Sequence, residues 1–140
     1  MNVTDLLPHR DPFLFLDELE EVTQETIIGT RTYSESDTFF AGHFPEYPVV
    51  PGVVLVESMA QCGGAGVRQL GVLGDNLFFL ASVNNVKFRR QVRPGDTVRM
   101  TITNQRISGR MIRQSGIAQV GDEVACEAEW MCLVGPAPTE

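Results

Sequence analysis

Two side chains in this sequence have the right chemistry, in the right surroundings, to move protons. Glu57 interrupts PGVVLVESMAQCGGAGVRQL, a mostly apolar run from Pro51 to Leu70. Leu55, Met59, Cys62, Gly66 and Leu70 recur there at steps of three and four, the spacing of a single helix face. A charged, unpaired glutamate in the second turn of a buried helix is costly, so it needs a partner or a raised pKa. It is either a structural carboxyl bonded to backbone or to Gln61, one turn on, or an acid kept protonated by its surroundings. His43 precedes it by fourteen residues, in AGHFPEYPVVPG. Pro45, Pro48 and Pro51 each fix φ and stiffen that segment. A lone histidine is usually a satisfied core or surface residue. On a rigid loop that leads into a helix carrying an odd glutamate, it is a better candidate for a base. With an ordinary pKa of about 6.5, imidazole is mostly free to accept a proton at neutral pH.

The elements that must position this pair are legible in outline. The run from Pro51 to Leu70 predicts a helix of roughly 30 Å, with Pro51 in its first turn, where a missing N–H costs nothing. Gly63, Gly64 and Gly66 lack the lysine and the strand-turn setting of a phosphate loop and read as points where the helix approaches its neighbours closely. Val98, Met100 and Ile102 alternate with Arg99, Thr101 and Thr103, and Val124, Cys126, Ala128, Trp130 and Cys132 alternate in the same way. Turn signals at Arg93–Asp96, Ser108–Gly109 and Gly121–Asp122 divide these runs into strands over about 97–107, 110–120 and 123–134. Further strands are expected over Phe13–Leu19, Val22–Tyr33 and Leu77–Val92. The expected architecture is α+β, one long helix against a sheet of long antiparallel strands. It forms a single domain over 1–140, with 135–140 as an irregular tail.

Composition excludes several classes. A chain of 140 residues with 43% hydrophobic and 21% charged residues is an ordinary globular domain. No stretch approaches the roughly 20 apolar residues of a membrane-spanning helix, and the N-terminus lacks the apolar core of a secretory signal, so a cytoplasmic protein is expected. Three cysteines without C-x-x-C spacing read as reduced thiols, and two distant histidines offer little to zinc, so neither metal nor cofactor is expected. A net charge of −7 argues against nucleic acid. The charge is uneven, however: residues 76–116 carry +7 and the remainder −14. The basic segment is either a docking face for an acidic or phosphorylated partner or the solvated side of strands.

The string GHFPEYPVVPGVVLVESMAQCGG resembles the signature of the β-hydroxyacyl-acyl carrier protein dehydratases of type II fatty acid synthesis. LLPHRDPFLFLDE and VNNVKFRRQVRPGDTV are similar to two further segments of that family, so the resemblance runs from Leu6 to Glu129. It departs at Asp11, after the PHR triplet. The resemblance implies a hot-dog fold, a long central helix wrapped by a curved antiparallel sheet, paired as a homodimer with two sites at the interface. Hexamers built as trimers of dimers also occur in the family. It implies that His43 is catalytic and that Glu57 reaches in from the neighbouring subunit. The isomerase-competent relatives carry Asp at that position, so Glu57 favours a dehydratase that does not isomerise.

The implied reaction converts a 3-hydroxyacyl-acyl carrier protein to the trans-2-enoyl thioester and water. His43 would take the C2 proton and Glu57 would protonate the leaving hydroxyl. The N–H groups of Gly52 and Val53 at the helix start would bind the thioester oxygen. Phe44, Met59, Phe78 and Phe79 are the first candidates for the acyl pocket, with Phe39, Phe40, Leu55 and Leu80 behind them. Lys87, Arg89, Arg90 and Arg93 are candidates for docking the carrier protein and the phosphate of its pantetheine arm. Tyr47 covers the entrance or is simply a half-exposed loop residue. His9 and Arg10 are assigned a structural role. The alternatives are a hot-dog thioesterase or hydratase acting on coenzyme A esters, and a hot-dog binding protein without catalysis. Having both His43 and Glu57 favours dehydration.

Overall fold

Alternating apolar residues can bury one face of a strand only if something covers it, and here a single helix covers the whole sheet. The computed structural model describes residues 2–136. A short helix α1 (Val3–Leu6) precedes strands β1 (Glu18–Val22) and β2 (Thr26–Thr32) and a 3-10 turn over Thr38–Ala41. The long helix α2 (Gly52–Gln69) follows, then β3 (Leu77–Phe88), β4 (Thr97–Ile107), β5 (Met111–Val120) and β6 (Glu123–Gly135). The six strands form one antiparallel sheet in the order β1-β2-β4-β5-β6-β3. Because α2 touches every strand, the sheet must wrap around it. This is the expected α+β arrangement, including the meander β4-β5-β6.

The helix can lie so close because its inner residues are small. A Cβ added at Gly63 would collide with Gln114, one at Gly64 with the Phe78 ring, and one at Gly66 with Ile27. Nearly every residue from Leu55 to Val67 is buried, so the expectation of a surrounded helix holds. Gln114 is buried in this interface and fully used. It accepts from the Trp130 indole at 3.0 Å and donates to the Gly63 carbonyl and to Asn104. A buried polar group partnered in this way ties helix to sheet without an unpaired atom.

Several boundaries differ from the sequence reading. The run Phe13–Leu19 becomes strand only at Glu18. Phe15 and Leu16 are buried, yet the Phe15 N–H bonds the side chain of Gln61 on α2, not another strand. The apolar character there reflects packing against the helix. Val22–Tyr33 is two elements, because the Thr23 hydroxyl accepts from the N–H groups of Glu25 and Thr26 and turns the chain. The strand expected over Leu77–Val92 stops at Phe88, after which the N–H groups of Arg89 and Arg90 both turn to the Ala125 carbonyl. Pro51 is the N-cap of α2, one residue ahead of its first turn. Gly135 still belongs to β6, and residues 137–140 of the expected tail lie outside the described residues. Among the described residues, no helix is long and apolar enough to cross a membrane.

Candidate active site

Glu57 projects from α2 into a cleft of about 280 Å³ whose walls include His9, Phe13, Gln61, Phe78, Phe79, Leu80 and Cys132. Most of that lining is apolar, and burial raises the Glu57 pKa from its ordinary value, opposed by a hydrogen bond from Gln61. The Gln61 amide donates to Oε2 at 2.9 Å. Its own position is fixed by the Phe13 carbonyl and the Phe15 N–H. The two readings of Glu57 thus coincide: it is bonded to Gln61 and is also an acid biased toward its protonated form. A larger depression of about 400 Å³ beside Leu70, Val72 and Arg106 contains no acid–base pair.

His43 sits on the loop between the 3-10 turn and α2, and two bonds close that loop on itself. The Val49 N–H donates to the His43 carbonyl at 3.0 Å, and His43 Nδ1 lies 3.0 Å from the Val49 carbonyl. A carbonyl only accepts, so Nδ1 carries a proton, and in the neutral ring the lone pair is on Nε2. The loop is also tied to the segment after β3. The Val50 N–H donates to the Val92 carbonyl at 2.7 Å, and the Tyr47 hydroxyl bonds Gln91 at 2.9 Å. The Arg93 guanidinium lies 4.1 Å above the Tyr47 ring. Proline stiffness is therefore only part of what fixes His43.

At the start of α2, the N–H groups of Val54 and Leu55 both reach the Pro51 carbonyl. Those of Gly52 and Val53 have no backbone partner among the described residues, and the helix dipole aims them outward. A Cβ at Gly52 would strike the Phe88 ring, so the helix start lies against the last residue of β3. The Glu57 cleft borders the other end of the same strand, at Phe78–Leu80. Within one chain His43 is not among the residues lining that cleft.

A model of the FabA-like domain matches residues 7–129. The chain belongs to the FabA-like domain family. Among its FabA-like relatives, the 3-hydroxyacyl-(acyl-carrier-protein) dehydratase FabZ of Geobacillus thermodenitrificans is 40% identical over 134 residues, covering 95% of this chain and 92% of the relative. FabZ of Bacillus thuringiensis is equally similar, at 40% over 134 residues, with 95% and 93% covered. Of solved structures, the dehydratase heterocomplex ApeI:P from Xenorhabdus doucetiae matches with a TM-score of 0.80 at 18% identity, covering all of this chain and 93% of that one. A hypothetical thioesterase from Streptococcus pneumoniae matches at 0.64 and 10% identity over 87% and 88% of the two chains. At these identities the structural matches speak for the fold alone, which is the hot-dog α+β fold.

This FabA-like chain places the other expected site residues unequally. Phe78 and Phe79 line the Glu57 cleft, as does Leu80. Met59 does not: it is fully buried in the core with Phe40 and Leu55, because its helix face points into the sheet. Phe44 is exposed and stacks on the His43 ring at 4.2 Å between centroids. Among the basic residues, Arg89 pairs with Glu127 at 2.9 Å and Arg90 with Glu123 and Asp96, while Lys87 is exposed. Glu123 and Glu127 come from β6, so part of the charge separation seen along the chain is cancelled across the sheet. Sequence reasoning missed that Cys132 and His9 line the Glu57 cleft. No spacing rule links position 9 to position 57; only the packing of the N-terminal segment on α2 does.

Proposed function

We propose that this chain is a 3-hydroxyacyl-acyl carrier protein dehydratase, with His43 as base and Glu57 as acid at two sites shared across a homodimer. One observation carries the reading: the Glu57 cleft borders one end of β3, and the start of α2 after the His43 loop lies against the other. Strand β3 is a sheet edge with Phe79, Leu80, Val83 and Phe88 exposed, a surface that invites pairing. If two β3 edges pair antiparallel about a two-fold axis, the Phe88 end of one chain meets the Phe78 end of the other. That brings the His43 loop and helix start of one subunit to the Glu57 cleft of its partner. Phe44 and Val53, both exposed, stand on the surface that would be covered.

The proposed chemistry uses this arrangement. The free Nε2 of His43 takes the C2 proton of the 3-hydroxyacyl thioester, and charge moves onto the thioester oxygen. The outward N–H groups of Gly52 and Val53 stabilise that oxygen. The protonated carboxyl of Glu57 gives its proton to the C3 hydroxyl, the C3–O bond breaks, and water leaves with the trans double bond formed. Phe78, Phe79 and Leu80 keep the acid in apolar surroundings and offer a wall to the acyl chain. Lys87, with Arg89, Arg90 and Arg93, would receive an acidic carrier protein, and binding that does not weaken as ionic strength rises would remove this docking role. The curated FabZ relatives support the substrate class. Three free thiols fit a cytoplasmic setting.

The test is double-bond formation from a carrier-bound 3-hydroxyacyl substrate, compared with loss of the thioester. Enoyl product with the thioester intact is expected; release of free thiol without an enoyl product would replace dehydration with thioester hydrolysis.

A further inference from the structure

Arg10 fills the structural role expected of the N-terminal segment, since its guanidinium reaches the carbonyls of Thr4, Leu7 and His9. His9 does something else. Its Nε2 stands 3.7 Å from Oε2 of Glu57, with both side chains equally enclosed. The ring lies near Phe13 and Phe78, at 6.5 and 6.2 Å between centroids. Its Nδ1 is buried with no partner among the described residues. Oε2 is also the oxygen that receives the Gln61 amide, and no described residue donates to Oε1.

The ring tautomer follows. A buried N–H with nothing to receive it is rarer and costlier than a buried lone pair, so the proton belongs on Nε2, facing the carboxyl. Burial and then the Arg10 charge both lower the His9 pKa, which keeps the ring neutral.

We propose that His9 is a positioning residue that joins Gln61 in donating to Oε2 of Glu57, leaving the transferable proton on Oε1. The inference rests on Glu57 being the acid of the dehydration. When Oε1–H breaks and its proton leaves with the C3 hydroxyl as water, the negative charge left on the carboxylate is held at Oε2 by two N–H groups. The present separation is a near contact that closes to a hydrogen bond as substrate fills the cleft, where such bonds tighten. Among the described residues, the titratable groups facing Glu57 are His9 on the N-terminal segment and Cys132 on β6, while the Arg10 charge bears on His9. Its neighbours on β3 carry no charge, and Gln61 is neutral. The proposed dimer adds the partner's His43.

His9→Phe keeps an aromatic ring and removes the donor, while His9→Gln keeps an amide N–H within reach. The readouts are kcat and KM for dehydration of a 3-hydroxybutyryl thioester, and the Glu57 titration followed by carbon-13 NMR. A donor favours the carboxylate, so losing it should raise the Glu57 midpoint by about one pH unit and lower kcat about tenfold, with KM little changed. His9→Gln should recover most of both. A folded, dimeric His9→Phe protein with unchanged kcat and midpoint overturns the proposal. So does a wild-type nitrogen-15 spectrum with His9 protonated at Nδ1 or at both nitrogens, which needs no variant. Glu57→Gln separates the two readings. If it is inactive while His9→Phe is unaffected, only the positioning role fails. If it keeps full activity, the acid assignment itself fails and takes this proposal with it.

Discussion

In the proposed site, His43 and Glu57 would be prepared for proton transfer in opposite ways. The histidine sits on a short loop at the surface, and its readiness comes from hydrogen bonds: Nδ1 to the Val49 carbonyl, the loop closed on itself, and Tyr47 and Val50 tied to Gln91 and Val92. The glutamate sits on the long helix beside an apolar cleft, and its readiness comes from desolvation, which burial supplies and Gln61 partly opposes. In this proposal the base is made by orienting a lone pair, whereas the acid is made by penalising its charge. It also explains why the two groups belong to different elements. A loop can be shaped around one ring, but only a core element can keep water from a carboxyl.

Separating the halves is the most severe way to break this comparison. His43→Ala and Glu57→Gln should each lower dehydration by about 10²–10⁴-fold while the protein still folds. Mixed in equal amounts after subunit exchange, the two inactive proteins should recover about a quarter of wild-type activity, because half of the dimers then contain one intact site of two. No recovery would place both groups in one subunit. The Glu57 side responds to packing: Gly64→Ala pushes on the Phe78 ring in the cleft wall and should destabilise the fold by about 1–3 kcal/mol, measured by denaturant unfolding. The same change should leave the His43 loop undisturbed in an NMR spectrum.

The His43 side responds to loosening. Tyr47→Ala removes the bond to Gln91 and the stacking of Arg93, and kcat should fall about three- to tenfold with the Glu57 titration unmoved. The mildest effect is on stability against pH. Glu57 has a folded pKa above its ordinary 4.5, so below that value it is protonated in both states. As pH rises, the unfolded chain loses this proton first, and the folded state loses stability up to its own raised pKa. Glu57→Gln should therefore raise Tm relative to wild type more at pH 8 than at pH 4. An equal difference at both would mean that burial does not hold the proton on Glu57.

Where a residue pattern is itself the physical cause, the sequence was readable. Alternation in β4, β5 and β6 reflects burial of one strand face, and the meander appeared as expected. The glycines of α2 were legible as points of close approach because only a missing side chain serves there. The strand expected over Phe13–Leu19 forms only from Glu18, because apolar residues can be buried by packing a loop on a helix as well as by pairing in a sheet. Met59 lies in the core and does not line the Glu57 cleft for a related reason: sitting two residues from Glu57 turns it to another face of the helix. The pairing of Arg89 with Glu127 was invisible because the partner lies across a strand pair and far along the chain.

By itself the sequence determined the long apolar helix with one carboxyl in it, the stiff loop carrying one imidazole, and the family to which both belong. The helix and the loop are local matters, set by spacing, proline geometry and the cost of burying charge, while the family rests on resemblance. Only the tertiary structure decided which nitrogen of His43 is free, what desolvates Glu57, and that His9 faces it. Each of these depends on atoms brought together from distant parts of the chain, where packing against a shared core chooses the neighbours.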